Sequence, residues 1–305
     1  MKTLYKYYSE QFDVIKHVKK PAIKLSTTKS FNDPFEKKIT NELSRILTRK
    51  LKLDLAPIYK QVDDEEYIKV YKEISRNYGV VSLTETHRNI LMWSHYASSH
   101  RGLCIGYKSD FLDILDKIDV RYHAYSPIYQ PQRVRYDYKR FDINQIEDEQ
   151  TQFDLLIQEM MTKSDEWMYE KEHRCIVPFS WADKLSINKN KNPTLNALIK
   201  ESIKSKSIKL IQSESEKDTL TYEFNGCEGN LKGRDIASFL EVTMLKNIKI
   251  ESIDSIYLGC EYNSDKISKL TTLLKSNPLY QHIKLYQYKT NEDNFSLDLT
   301  TISEA

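Results

Sequence analysis

Trp167-Met168-Tyr169-Glu170-Lys171-Glu172-His173-Arg174 runs without a break into Cys175-Ile176-Val177-Pro178-Phe179. The second half is apolar and β-branched enough for a core strand, and the first half reads as its charged extension. Side chains alternate along a strand, so Glu170, Glu172 and Arg174 share one face while Tyr169, Lys171 and His173 share the other. Two carboxylates and a guanidinium on one face read as a site where the strand approaches a cleft. The competing reading is an edge strand with a solvated ion pair, a common device against edge pairing.

Working outward, residues 4–7 read as a first strand, and Ser9 is placed to cap a helix that aligns Phe12, Ile15 and Val18. Pro21 stops that helix, and residues 22–26 form a second strand. Phe31-Asn32-Asp33-Pro34-Phe35-Glu36 is a rigid turn of the kind that borders a pocket. Residues 79–83 and 103–107 read as short buried strands. Between them lies a helix capped by Thr84 or Thr86 and ending near Gly102. Residues 120–125 and 128–136 read as a ribbon broken by Pro127 and Pro131, and residues 143–164 as helical. Helical spacing returns over 233–244, followed by a strand at 253–259, a helix at 264–274 and a closing strand at 283–288. Strands interspersed with helices predict an α+β fold. It is read as one domain, 1–305, with a helical insertion or lid at 37–78 and a peripheral insertion at 180–232.

Composition narrows the function classes. The 46 basic and 44 acidic side chains nearly cancel, so no overall pull toward nucleic acid is implied. No apolar run is long enough for a membrane span or a signal peptide, which predicts a cytoplasmic protein without a membrane partner. Cys104, Cys175, Cys227 and Cys260 lack the close pairing of zinc sites or redox dithiols. None of the glycines forms a phosphate-cradling loop, so any nucleotide is held without a P-loop or a dinucleotide fingerprint.

A second stretch, Trp93-Ser94-His95-Tyr96-Ala97-Ser98-Ser99-His100-Arg101-Gly102, concentrates aromatic and imidazole groups. His95 and His100 are five apart, so one helix face does not carry both, and no metal site is expected. Trp93 and Tyr96 have core spacing. His95, His100 and Arg101 are candidates for bonding backbone or phosphate.

Together, residues 4–7, the 31–36 turn, the 93–104 stretch and the 167–174 run resemble the bacterial domain-of-unknown-function family 2971. The Ile256-Tyr257-Leu258-Gly259 strand fits the same family. Its bacterial character suggests a toxin or phage-defence effector as the cellular context. The order of elements is also similar to that of ADP-ribosyltransferases, which bind NAD without a dinucleotide-binding fold. That resemblance implies a split β-sheet core with helical insertions and NAD as the substrate. By position, Lys6 or Tyr7 would hold the nucleotide, with His95, His100, Arg101 and Arg174 as further binding groups. Tyr96 would stand near the nicotinamide, and Glu170 or Glu172 would act on the ribose. The match departs from the family at the first strand, where Lys replaces Arg or His, and in lacking a Ser-Thr-Ser strand.

The chemistry implied is cleavage of the nicotinamide–ribose bond, in which a carboxylate stabilises the positive charge that develops on the sugar. The acceptor of any transferred group, protein or nucleic acid, is left open. Two other readings stay open. A non-enzymatic sensor would use the pocket to hold a nucleotide or protein partner. A metal-dependent nuclease would add Asp154 or Asp165 to the two glutamates around magnesium.

Overall fold

The computed structural model describes residues 2–37, 40–55, 77–112, 128–142, 144, 146, 150–188, 192–214, 219–225, 236–237, 239 and 241–303. Helices accompany two large sheets, an α+β architecture. In the first sheet the strand order is β15-β14-β13-β4-β1-β3-β8-β5. These strands are β1 (Thr3–Tyr8), β3 (Tyr78–Thr84), β4 (Leu103–Lys108), β5 (Ile128–Arg133), β8 (Glu172–Pro178), β13 (Ile253–Leu258), β14 (Lys284–Thr290) and β15 (Leu297–Ser303). Among the described residues of this sheet only β13 and β14 pair in parallel, because helix Ser264–Ser276 carries the chain across between them, and a separate parallel pair joins β6 (Arg135–Tyr136) and β7 (Thr162–Lys163). The second sheet is antiparallel, in the order β10-β11-β9-β12-β2. It comprises β2 (Ala22–Leu25), β9 (Lys184–Asn188), β10 (Ile208–Glu214), β11 (Thr219–Phe224) and β12 (Val242–Asn247).

One core unites the sheets. Leu4, Val81, Ile105 and Ile256 of the first pack in the same buried cluster as Ile23, Leu185, Tyr222 and Met244 of the second. The stretch read as a peripheral insertion, 180–232, supplies β9, β10, β11 and helix Pro193–Lys204, and its Leu195, Ile199 and Ile208 lie in that core. Of 37–78, helix Asn41–Leu55 places Leu43 and Leu47 against Phe153 and Leu156 of helix Gln152–Met160. Residues 56–76 lie outside the described residues, as does the expected ribbon segment 120–125.

Several boundaries differ from the sequence reading. The first helix is Val14–Lys19, capped by Asp13, whose carboxylate accepts from the Lys16 amide at 2.9 Å; Ser9 lies too far upstream. The helix expected from Thr84 or Thr86 is Ile90–Tyr96, capped by Asn89, which accepts from both Leu91 and Met92. It ends well before Gly102 because Ser98, Ser99 and His100 all have positive φ. Among the described residues of 143–164 only Gln152–Met160 is an α-helix, Met244 belongs to strand β12, and β15 follows the strand expected to close the chain.

The opening run is itself broken. Asp165–Glu170 is a 3-10 segment, Lys171 is left-handed with φ of 46°, and the strand begins at Glu172. That strand lies between β3 and β5 with all its residues buried, so it is not a solvated edge. β1 is central, but β3 separates it from β8.

The first sheet parts at one seam. β3 and β8 pair over seven residues and β1 and β4 over six, yet β1 and β3 share only Tyr5 opposite Thr84. Four residues back along β3, Val80 exchanges both backbone hydrogen bonds with Ser26, at the end of β2. Alternation turns the backbone of Val80, Ser82 and Thr84 to the same edge, so Ser82 is left facing a gap where β1 and β2 diverge. Lys6 Nζ spans it, donating to the Ser82 carbonyl at 2.9 Å.

Gly259 follows β13 and donates its amide to the Gly102 carbonyl at 3.0 Å, locking the left-handed 98–100 segment beneath β13. A Cβ there would overlap the His100 carbonyl oxygen, which is backbone and has no room to retreat. We predict that Gly259→Ala destabilises the fold by about 1–3 kcal/mol, the usual cost of overpacking, measured by chemical denaturation; an unchanged midpoint would refute the close approach.

Candidate functional site

A cavity of about 190 Å3 opens over the gap between β1 and β2. β1 contributes Lys6 and Tyr7, β2 Lys24, and β3 Ser82 and Thr84, while the 31–36 turn contributes Asn32, Asp33 and Glu36. The helix Ile90–Tyr96 closes one side with Met92 and Tyr96. The charged run supplies Glu170, Glu172 and Arg174, joined by Lys163.

The acids arrive by two routes. Glu172 and Arg174 share a face of β8 by simple alternation. Glu170 reaches the same cavity because the chain turns at left-handed Lys171. Its segment is pinned by Thr84 Oγ1 donating to the Glu170 carbonyl at 2.6 Å and by Asn89 Nδ2 donating to the Tyr169 carbonyl at 2.8 Å. Lys171 is outside the cavity lining, and buried His173 lies on the other side of the strand, with Glu85 3.4 Å away.

Arg174 is almost completely buried. Its Nε and Nη2 donate to the two oxygens of Glu172 at 2.7 and 2.9 Å, Nη1 donates to the Met160 carbonyl at 2.5 Å, and Nη2 also reaches Glu36. Its guanidinium lies 5.1 Å from the centre of the Phe31 ring. Lys163, at the end of strand Thr162–Lys163, donates to Glu170 Oε2 at 2.5 Å and to Glu172 Oε2 at 3.1 Å. Tyr96 donates its hydroxyl to Glu170 Oε1 at 2.5 Å. Every carboxylate oxygen of both glutamates therefore has a donor.

These contacts decide protonation. Burial alone would push the Glu172 carboxyl up, but Arg174 and Lys163 outweigh it and hold the group at about 2. Burial pushes the Lys163 ammonium down, and the glutamates outweigh that in turn, raising it. Burial and then the Glu170 charge raise the Tyr96 phenol, so it stays a donor. Lys6 is opposite in kind. Burial lowers it to about 8, Glu172 only partly offsets this, and the charge of Lys24 lowers it further.

Of the residues expected at the site, Lys6, Tyr7, Tyr96, Glu170, Glu172 and Arg174 line the cavity. Tyr7 is mostly wall, its hydroxyl bonded to the Thr86 carbonyl and its ring edge-on to Trp93. His95, His100 and Arg101 are outside the lining. His95 is exposed on its helix, the His100 ring lies nearly parallel to Trp93, and Arg101 pairs with Glu10 at 3.1 Å. The early helix end and the left-handed segment carry the last two away. Asp165 is exposed and Asp154 is occupied in a capping box with Thr151, so neither joins the two glutamates. Lys163, Lys24 and Glu36 were not singled out as site residues. Glu36 lies in the turn expected to border a pocket, but neither lysine carries a local signal.

The fold and the site define an α+β protein with a charged cleft at a parting of its sheets. Residues 92–175 match the model of a family described as "Protein of unknown function (DUF2971)", a stretch that holds Tyr96, Lys163, Glu170, Glu172 and Arg174. No curated protein and no solved structure matches the chain.

Glu172 supplies a pH test. Its folded value of about 2 lies below the ordinary 4.5, so its stabilisation is present above 4.5 and is lost as pH falls through the folded value. We predict that wild-type melting temperature falls across this window and that Glu172→Gln removes much of the slope while lowering stability at pH 7 by about 3–5 kcal/mol, the cost of breaking a buried pair. A parallel pH profile in the variant would contradict the assignment.

Proposed function

We propose that the protein cleaves the nicotinamide–ribose bond of NAD, transferring the ADP-ribosyl group to water or to an acceptor, with Glu170 as the carboxylate that faces the sugar. The observation that carries this reading is the Tyr96–Glu170 hydrogen bond of 2.5 Å on the wall of a cleft where two strands part. Supporting it are a lysine on the first strand and a carboxylate two residues before a late strand, close to the order seen in the sequence resemblance to ADP-ribosyltransferases.

The two glutamates divide the work. Glu172 is bound through both oxygens by Arg174 and serves the architecture. Among the described residues Glu170 Oε1 accepts from Tyr96 alone, which leaves a lone pair for a ribose hydroxyl. When the C1′–N bond breaks, its electron pair leaves with nicotinamide and positive charge develops on the ribose. The Glu170 side chain stabilises that charge more than the ground state. The nucleophile then attacks C1′ and gives up its proton to solvent. Lys163 and Tyr96 hold the carboxylate in place and shield it from rotating away.

A second reading, a nucleotide-binding sensor without catalysis, is favoured by the mutual satisfaction of Glu36, Lys163, Glu170, Glu172 and Arg174. One experiment separates the two. The purified chain is incubated with NAD and released nicotinamide is followed by chromatography. We expect release by the wild type, a loss of about 100-fold in Glu170→Gln and about 10-fold in Tyr96→Phe, the range typical of single electrostatic and positioning groups. Glu170→Gln also weakens the buried pair with Lys163 and lowers the melting temperature, so release is compared per folded molecule, at a temperature where both variants are folded. NAD binding without release would favour the sensor, and equal release by Glu170→Gln would remove the carboxylate from the chemistry.

A further inference from the structure

The cleft has a second half that the glutamate cluster leaves unused. Lys24 lies between buried Ile23 and Leu25 on β2, so alternation turns it away from the core, and its exposed side chain borders the cavity. It makes no hydrogen bond or ion pair among the described residues. Lys6, opposite on β1, donates among the described residues to the Ser82 carbonyl alone. The three glutamates of the cavity are turned to Lys163 and Arg174 instead. Two like charges are thus held near each other without a bonded carboxylate, an arrangement that a bound anion relieves.

An independent feature stands on the 31–36 turn. Asp33 is buried, 3% exposed, and its Oδ1 accepts from the Phe35 amide at 2.8 Å. Its other oxygen, Oδ2, is buried without a partner among the described residues although the residue lines the cavity. A buried acceptor in that state calls for a donor. Asp33 also repels any phosphate laid against it, so a ligand must present a donor to the turn and its charge to the two lysines.

We propose that Lys6 and Lys24 form a phosphate subsite and Asp33 a hydroxyl subsite, so that the cleft takes a phosphorylated sugar. The inference rests on the nucleotide reading above and extends it to which part of the nucleotide is gripped. The cavity of about 190 Å3 suits one sugar with its phosphate, because pockets that bury a whole drug-sized ligand measure about 300 Å3 or more. The remainder of a dinucleotide extends over the open rim.

The test is calorimetric titration of the full chain with inorganic pyrophosphate, ADP-ribose and nicotinamide riboside. For the wild type, pyrophosphate and ADP-ribose bind. Lys24→Met weakens both by about 10-fold, as loss of one charge-assisted contact does, while Lys24→Arg retains binding and the phosphate-free riboside is indifferent to either change. Asp33→Asn weakens ADP-ribose by a similar factor and leaves pyrophosphate unaffected. Asp33→Ser, which keeps an acceptor for the Phe35 amide, is the second variant should the first fail to fold. ADP-ribose binding unchanged by Lys24→Met overturns the phosphate subsite while the nucleotide reading stands. Lys24-dependent pyrophosphate binding with no affinity for ADP-ribose keeps the phosphate subsite and overturns both the nucleotide reading and the sugar. Binding of none of the three overturns all of it.

Discussion

The guanidinium of Arg174 is the interaction around which the cleft is organised. Taking a charge that far from water costs several kcal/mol before any partner is counted. The cost is offset because Arg174 meets both oxygens of Glu172, the carboxylate of Glu36 and a backbone carbonyl at the end of a helix, all at once. A planar fork of fixed donors can do this and a lysine cannot. Through those four contacts one side chain ties the 31–36 turn, strand β8 and the end of helix Gln152–Met160 together. Remove it and three segments lose a common anchor while two buried carboxylates lose their counter-charge.

Lys163 extends the same logic to Glu170. It sits between the two glutamates and donates to both, so one cation bridges two carboxyl groups in one small cavity. The result is a graded pair. Glu172 is held so firmly that it is ionised throughout the physiological range, and its oxygens are committed to Arg174. Glu170 borders the cavity with Tyr96 as its other donor. The distinction does not come from the residues, which are chemically identical, but from which neighbour each one meets.

The cleft exists because the first sheet does not close. β1 meets β3 at one residue pair and then diverges, while β2 meets β3 from the other direction at Val80. A backbone carbonyl left facing such a gap needs a donor, and Lys6 supplies it. The same divergence therefore makes the opening and places a cation on its floor, so the polar lining follows from backbone hydrogen bonding that the ladder no longer satisfies.

Much of this was legible in order along the chain. The strands at 79–83, 103–107 and 253–259, the helix from 264 and the pocket-bordering 31–36 turn were readable because hydrophobic period and turn chemistry are local properties. The shared direction of Glu172 and Arg174 is equally local, since strand alternation alone requires it. Glu170 was expected on that face for the wrong reason: a strand and a turn through left-handed Lys171 both return the chain to one side after two residues, and the letters do not distinguish them. His100 and Arg101 were misplaced because three consecutive residues of positive φ carry no clear sequence mark. By itself the sequence determined the elements and the local pairing of acid with base. Only the tertiary structure decided which strands part, and hence that Lys163, seven residues before Glu170, and the distant Glu36 and Lys24 line one cleft with the two glutamates. That choice depends on how two sheets pack over a common core, a balance of long-range contacts with no signature in any single window of residues.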